Sequence, residues 1–150
     1  MEGAEQSPDA ATVSHSITIS APADEVWHVV RDVGAIGAWL PGVESSRLEG
    51  DSRIIEYSGG GQAREQILDI DEARRTYTYR LLAGRLPITW YEAGFSVEEL
   101  ETGAAVHWTG TFVPGNPADA RGIAETLHQF FESSLDALGR KFAHTDVEET

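Results

Sequence analysis

The sequence predicts an α+β domain in which a seven-stranded antiparallel sheet packs on one long C-terminal helix, with two short helices after the first strand. Three observations carry this. The chain opens on period-2 alternation in "VSHSITIS". Six strand-like segments then follow one another from Val43 to Val113, and the period turns helical over "NPADARGIAETLHQFFESSLDALGRKFA". A sheet with one apolar face must bury that face, and the final helix is the only segment of matching length.

The elements follow in order. In the first strand Val13, His15, Ile17 and Ile19 alternate with serines and Thr18, the pattern of a half-buried strand. Pro22 ends it, Ala23 or Asp24 is the expected cap, and Val26, Trp27, Val30 and Val33 mark a short amphipathic helix. "GAIGAWLPG" reads as a helical turn or two that break at Pro41. "VESSRLEG" and "SRIIEYSG" meet at Gly50-Asp51, a hairpin junction. "AREQILDID", "RRTYTYRLLAG", "ITWYEAGFSVEEL" and "AAVHWTGTFVPG" complete a meander, with turns at Asp71–Ala73, Gly84–Pro87 and Glu101–Gly103. Asn116 is the expected cap of the last helix with Pro117 in its first position. Ile123, Leu127, Phe130, Phe131, Ser134, Leu135, Leu138 and Phe142 then form its apolar stripe.

Composition bounds the rest. A chain of 150 residues with 41% apolar content suits one domain. Residues 1–12 and 144–150 carry too little apolar content to order and read as tails, the second acidic, around a domain at 13–143. The formal charge is −14; six of the 25 acids lie in the two ends, leaving 13–143 with 19 acids against 11 bases. That balance argues against nucleic acid or an anionic membrane as partner. There is no cysteine, hence no disulfide, thiolate nucleophile or Cys-based metal site. With no secretory signal pattern and no apolar run long enough for a membrane span, the expectation is a cytoplasmic protein.

The glycine run in "YSGGGQAREQ" (Tyr57–Gln66) raises the question of a phosphate loop. A strand follows it where such a loop needs a helix N-terminus, so that reading fails. A tight hairpin or a lid over a pocket both remain. The five histidines lack metal-ligand spacing, and no Gly-x-Ser-x-Gly elbow or dinucleotide fingerprint is present, so no metal and no cofactor is expected. What remains is an aromatic inner face. Tyr77, Tyr79 and Leu81 share one strand parity; so do Tyr91, Ala93, Phe95 and Val97, and likewise Val106, Trp108, Gly110 and Phe112. Such a face is either plain core or a cavity, and the small Ala93 and Gly110 with the tyrosine hydroxyls favour a cavity. Glu65 shares its parity with Ile67; turned inward it is an acid at the cavity mouth, and otherwise it pairs with Arg53, Arg64 or Arg80.

The order and spacing of "APADEVWHVVRDVGAIGAWLPGVESS", "AREQILDIDEARRTYTYRLLAG", "LPITWYEAGFSVEEL", "AVHWTGTFVP" and the long helix resemble the START-like, Bet v 1-like (SRPBCC) superfamily, and more narrowly its bacterial polyketide cyclase/dehydrase group. The resemblance covers about residues 13–143. It implies a helix-grip fold around a cavity for apolar metabolites, in which some members catalyse cyclisation or dehydration and many only bind or carry. "SGGGQAREQILDIDEA" and "AGRLPITWYEA" are also similar to the gate and latch regions of plant abscisic acid receptors. This implies a gate over residues 59–63, with Gly59, Gly60 and Gly61 as its glycine run and Glu65 the inward acid just after it, a latch at Gly84, Arg85 and Leu86, and a pocket tyrosine at Tyr91. Glu44 falls where those receptors carry a pocket lysine, which disfavours a hormone-like acid and favours a neutral, hydroxylated or amine-bearing ligand.

The expected function is a cofactor-free cyclase or dehydratase on a polyketide-like secondary metabolite, with Glu65 and Tyr91 as acid/base and orienting groups. The alternative is a non-catalytic binding or transfer protein. Trp39, Glu44, Tyr57, Tyr79, Phe95, Trp108, Phe112, Leu127 and Phe131 are the expected ligand contacts. The expected partner is an apolar small molecule, and the expected state is a monomer or homodimer.

Overall fold

The computed structural model describes the backbone of residues 10–149 and the side chains of residues 10–143. The tail expected over residues 1–12 lies, up to residue 9, outside the described residues. The strands are β1 (Ala11–Ile19), β2 (Val43–Glu49), β3 (Ser52–Tyr57), β4 (Gln62–Asp71), β5 (Thr76–Ala83), β6 (Ile88–Glu99) and β7 (Ala104–Pro114). Helix α1 spans Ala23–Val30 and α2 spans Ala120–Glu149. The second short helix is a 3-10 segment, Val33–Ala38, interrupted at Ala35. Several boundaries differ from expectation: β1 begins at Ala11, α1 ends at Val30 so that Val33 opens the 3-10 segment, α2 begins at Ala120 rather than Pro117, and α2 runs through Glu149 rather than stopping at Ala143. Once a helix is nucleated, each further residue adds a hydrogen bond at small cost, so weak composition alone does not end it.

The sheet is antiparallel throughout, in the order β1-β7-β6-β5-β4-β3-β2. It is the predicted meander, with β1 brought back against β7 from Ala11↔Phe112 to Ile19↔Ala104. Register shifts at Val43/Ser45, Arg64/Glu65, Ile67/Asp69 and Ile88/Trp90 insert bulges, and bulged strands bend and twist more strongly. Helix α2 lies in the resulting concavity, chiefly against β1 and β7. Asn116 Oδ1 accepts from the Ala118 N–H at 3.0 Å, with Pro117 opening a 3-10 turn that leads into α2. At α1 the cap differs from expectation: Pro22 holds that position without a side-chain hydrogen bond, and Asp24 instead pairs with Arg75 at 2.8 Å.

Stacked rings fill one part of the concavity. Tyr77, Phe95 and Trp108 are cross-strand neighbours in register on β5, β6 and β7. Trp108 stacks on Phe131 of α2 at 4.0 Å and on Phe95 at 4.4 Å, Phe95 stacks on Tyr77 at 5.2 Å, and Trp39 meets Phe95 edge-on at 5.9 Å. Each such pair contributes about 0.5–1.5 kcal/mol beyond its area burial, so the column ties sheet and helix together.

Candidate functional site

The site begins at the β3–β4 hairpin. Ser58–Gly61 close it as a tight turn: the Tyr57 N–H donates to the Gly61 carbonyl and the Gly60 N–H to the Tyr57 carbonyl, both at 3.0 Å. Gly60 and Gly61 sit at φ +96 and +95, a region that favours glycine. This turn sets the register that places Arg53 opposite Glu65 and Ile55 opposite Ala63. Both charged side chains point inward, and Arg53 is 1% and Glu65 8% exposed.

The buried pair is direct. Arg53 Nε donates to Glu65 Oε1 at 2.9 Å and Nη2 approaches the same oxygen at 2.7 Å. Arg53 Nη1 donates to the Val33 carbonyl at 3.2 Å and to the Tyr77 hydroxyl at 3.1 Å, while the guanidinium lies over the Tyr79 ring at 4.9 Å. Burial opposes the charge on Arg53, but the Tyr77 oxygen and the Glu65 carboxylate beside it outweigh that and hold it charged. Oε2 of Glu65 receives no hydrogen bond from the described residues.

Next to the pair stand the tyrosines of β5 and β6. Trp108 Nε1 donates to the Tyr79 hydroxyl at 3.1 Å, and the Tyr79 and Tyr91 hydroxyls are 3.4 Å apart. Burial pushes Tyr77, Tyr79 and Tyr91 above the ordinary tyrosine value, and Tyr57 in the same direction. These hydroxyls therefore stay protonated and neutral at physiological pH.

Between these groups and α2 lies a cavity of about 170 Å³. The gate side supplies Tyr57, Ala63 and Glu65; the latch side supplies Gly84, Arg85, Leu86 and Ile88; Tyr79, Leu81 and Tyr91 form the floor, and Thr126, Leu127 and Phe130 of α2 the roof. Arg85 spans the mouth. Its guanidinium lies 3.9 Å from the Tyr57 ring centroid and Nη1 donates to the Gly60 carbonyl at 3.4 Å. Larger hollows of about 570 and 630 Å³ are surface grooves, one beside α1 at Asp24, Arg75 and Glu101, the other between β1 and α2 at Ser14, Glu125 and His128. Neither encloses a space under the sheet. Among the described residues no group of three or more His, Asp or Glu is placed to hold a metal.

Of the residues singled out from sequence, Glu65, Tyr91, Tyr57, Tyr79 and Leu127 meet on this cavity. Trp39, Phe95, Trp108, Phe112 and Phe131 do not line it: they are buried, and the first three and Phe131 pack ring on ring in the filled column. Glu44 is a correction. It sits at the β2 bulge and is exposed, so the register shift removes it from the concave face. Gly59, Gly60 and Gly61 form the rim turn rather than the wall. The space at Gly110 is likewise not void, because a Cβ there would lie 2.9 Å from the Tyr91 ring and hydroxyl and 3.2 Å from Phe131. Of the three partners the sequence offered Glu65, the structure selects Arg53, and what sequence reasoning missed is Ile88, Thr126 and Phe130 as wall. The available signal for Arg53 was the hairpin: a turn centred on Gly59 pairs 53 with 65.

Residues 10–143 match the family described as polyketide cyclase / dehydrase and lipid transport. The chain belongs to this family. The same fold is found in a norcoclaurine synthase from Thalictrum flavum and in a START superfamily protein from Mycobacterium smegmatis. The protein XoxI from Bacillus cereus is 25% identical, with 91% of this chain and 98% of that one aligned at a TM-score of 0.83. A protein from Thermobifida fusca is 27% identical, covering 89% and 93% at 0.79. The Zhui aromatase/cyclase from a Streptomyces species shares the fold at 22% identity, 89% and 94% coverage and a TM-score of 0.73. None of the curated proteins matches. Among the described residues of this polyketide cyclase/dehydrase family member, no helix is long and apolar enough to cross a membrane.

Proposed function

We propose that the protein binds an apolar small molecule in the cavity between gate and latch, and acts there as a cofactor-free cyclase or dehydratase on a polyketide-like or related secondary metabolite. The observation that carries this is convergence: Glu65 and three tyrosines, Tyr57, Tyr79 and Tyr91, line one cavity whose apolar walls include Leu81, Leu86, Ile88, Leu127 and Phe130. The family description and the aromatase/cyclase fold neighbour support it. In this reading Tyr91 orients the substrate oxygen and Oε2 of Glu65 takes and returns a proton, while the walls hold a flexible chain in reacting geometry. A cavity of this size holds about one aromatic ring, so a larger substrate enters by parting Arg85 from Tyr57 and Gly60. The cytoplasm is the compartment we assign, and nucleic acid is not a partner in this reading.

A second reading, a carrier without turnover, is favoured by the Arg53–Glu65 pair, since a carboxylate engaged by a guanidinium already has a structural partner. Native mass spectrometry of the purified protein, followed by solvent extraction and re-addition of the extracted molecule, separates the two. Enzyme action predicts a product lighter by one water or isomerised by ring closure. Carriage predicts return of the molecule unchanged. A protein that takes up no apolar molecule contradicts both.

A further inference from the structure

We propose that Trp108, Tyr79 and Tyr91 form a one-way hydrogen-bond relay that leaves the Tyr91 hydroxyl proton unspent and aimed at the ligand, so that the cavity selects apolar molecules bearing a carbonyl-type acceptor oxygen. The proposal rests on the cavity-binding reading above and adds the chemical class of the ligand's polar end, with Trp108 and Tyr79 as positioning residues.

Indole N–H is a donor only, and each tyrosine hydroxyl has one proton to give and lone pairs to receive. Three protons, on Trp108 Nε1, Tyr79 and Tyr91, share two contacts: Trp108 to Tyr79 at 3.1 Å and Tyr79 to Tyr91 at 3.4 Å. One proton is left over. No carboxylate or carbonyl among the described residues accepts from either hydroxyl, and both tyrosines line the cavity. The direction follows from Trp108. A Tyr79 oxygen that already receives an N–H is polarised toward donating its own proton, and the neighbour in reach is the Tyr91 oxygen. The surplus therefore falls on Tyr91.

Two further features keep it there. Gly110 lacks the Cβ that would lie 2.9 Å from the Tyr91 hydroxyl, so the ring can lie close over β7. Tyr91 is 5% exposed, and burial raises its titration, so its hydroxyl remains a neutral donor. A buried donor without an acceptor is costly, and a ligand oxygen is what relieves it. Glu65 does not take this part, because its carboxylate accepts from the Arg53 guanidinium rather than offering a donor. This reverses the expectation of an amine-bearing ligand: with Glu65 neutralised by Arg53 and Arg85 at the mouth, the polar end that fits is an acceptor.

The test uses a ring-sized pair of equal shape, acetophenone and ethylbenzene, titrated by NMR into the full chain and into Tyr91→Phe, which keeps the ring and removes the hydroxyl. Tyr91→Phe is expected to weaken acetophenone about tenfold or more while ethylbenzene stays within about twofold. In the wild type, the carbonyl ¹³C resonance of labelled acetophenone should move downfield on binding, and Tyr91→Phe should abolish that movement. Equal loss for both ligands assigns Tyr91 a packing role only and overturns the proposal. An unshifted carbonyl resonance in the bound wild type overturns it without recourse to any variant. If the wild type binds neither molecule, the cavity-binding reading itself fails, and the relay's role with it.

Discussion

The concave face has two halves built by one rule and finished differently. In the half at Tyr77, Phe95, Trp108 and Phe131, rings in register stack across three strands onto α2 and leave no space. In the half at Glu65, Tyr79, Tyr91 and Leu127, the same alternation presents polar tips, a salt bridge and a 170 Å³ cavity. Strand parity, corrected at the bulges, therefore decides which residues face inward. Whether they meet one another or a ligand is decided by what the facing helix and the two rim loops bring. The filled half ties the sheet to α2, and the open half leaves the space in which we propose a ligand binds.

The most disruptive way to break this comparison is to remove one partner of the buried pair. Arg53→Met leaves Glu65 buried without its partner, and should lower stability in urea unfolding by about 3–5 kcal/mol. The double variant Arg53→Met with Glu65→Leu should recover most of the loss, since an apolar pair of similar volume is close to neutral. Glu65→Gln is therefore a test of folding as much as of turnover. A truncation in each half comes next. Phe131→Ala should cost about 3–5 kcal/mol. Leu86→Ala, at the half-exposed latch, should cost less than about 1 kcal/mol and change ligand affinity instead.

Alkali probes the same contrast. All four tyrosines, Tyr57, Tyr77, Tyr79 and Tyr91, are held above their ordinary value of 10.0, with burial as the first cause. The unfolded chain loses these protons first, so their contribution is whole below the ordinary value and is lost as pH rises beyond it toward the folded values. Unfolding midpoints should fall above that pH, and tyrosinate absorbance should rise together with unfolding rather than ahead of it. The smallest effect is expected at Arg85→Ala. An exposed cation–π contact contributes about 0.5–1 kcal/mol, so the melting temperature should hardly move while bound acetophenone exchanges faster.

Much of the fold was legible in the sequence. The alternation of Val13 to Ile19, the turn residues and the stripe from Ile123 to Phe142 announce sheet and helix, because local periodicity follows directly from burial. Pro117 and Asn116 mark where α2 opens. The site was legible only in part, because its decisive features depend on register. Glu65 was visibly a candidate, but its partner Arg53 is fixed by the centring of the Ser58–Gly61 turn, which also makes the glycine run a closed rim. Glu44 left the inner face through a bulge that parity cannot foresee. Trp108 and Phe131 looked like ligand contacts until stacking gave them to each other. Gly110 looked like empty space and is the seat of Tyr91.

The central claim is that the space between gate and latch is where an apolar molecule binds. Methyl-resolved NMR of the full chain during titration with acetophenone tests it most directly. The account predicts shifts concentrated at Leu81, Leu86, Ile88 and Leu127 on the cavity wall, with Val26, Val30, Leu135 and Leu138 unmoved in the core. Shifts centred on Ile17 and Ile19, in the groove beside β1, or no shifts at all, would contradict it.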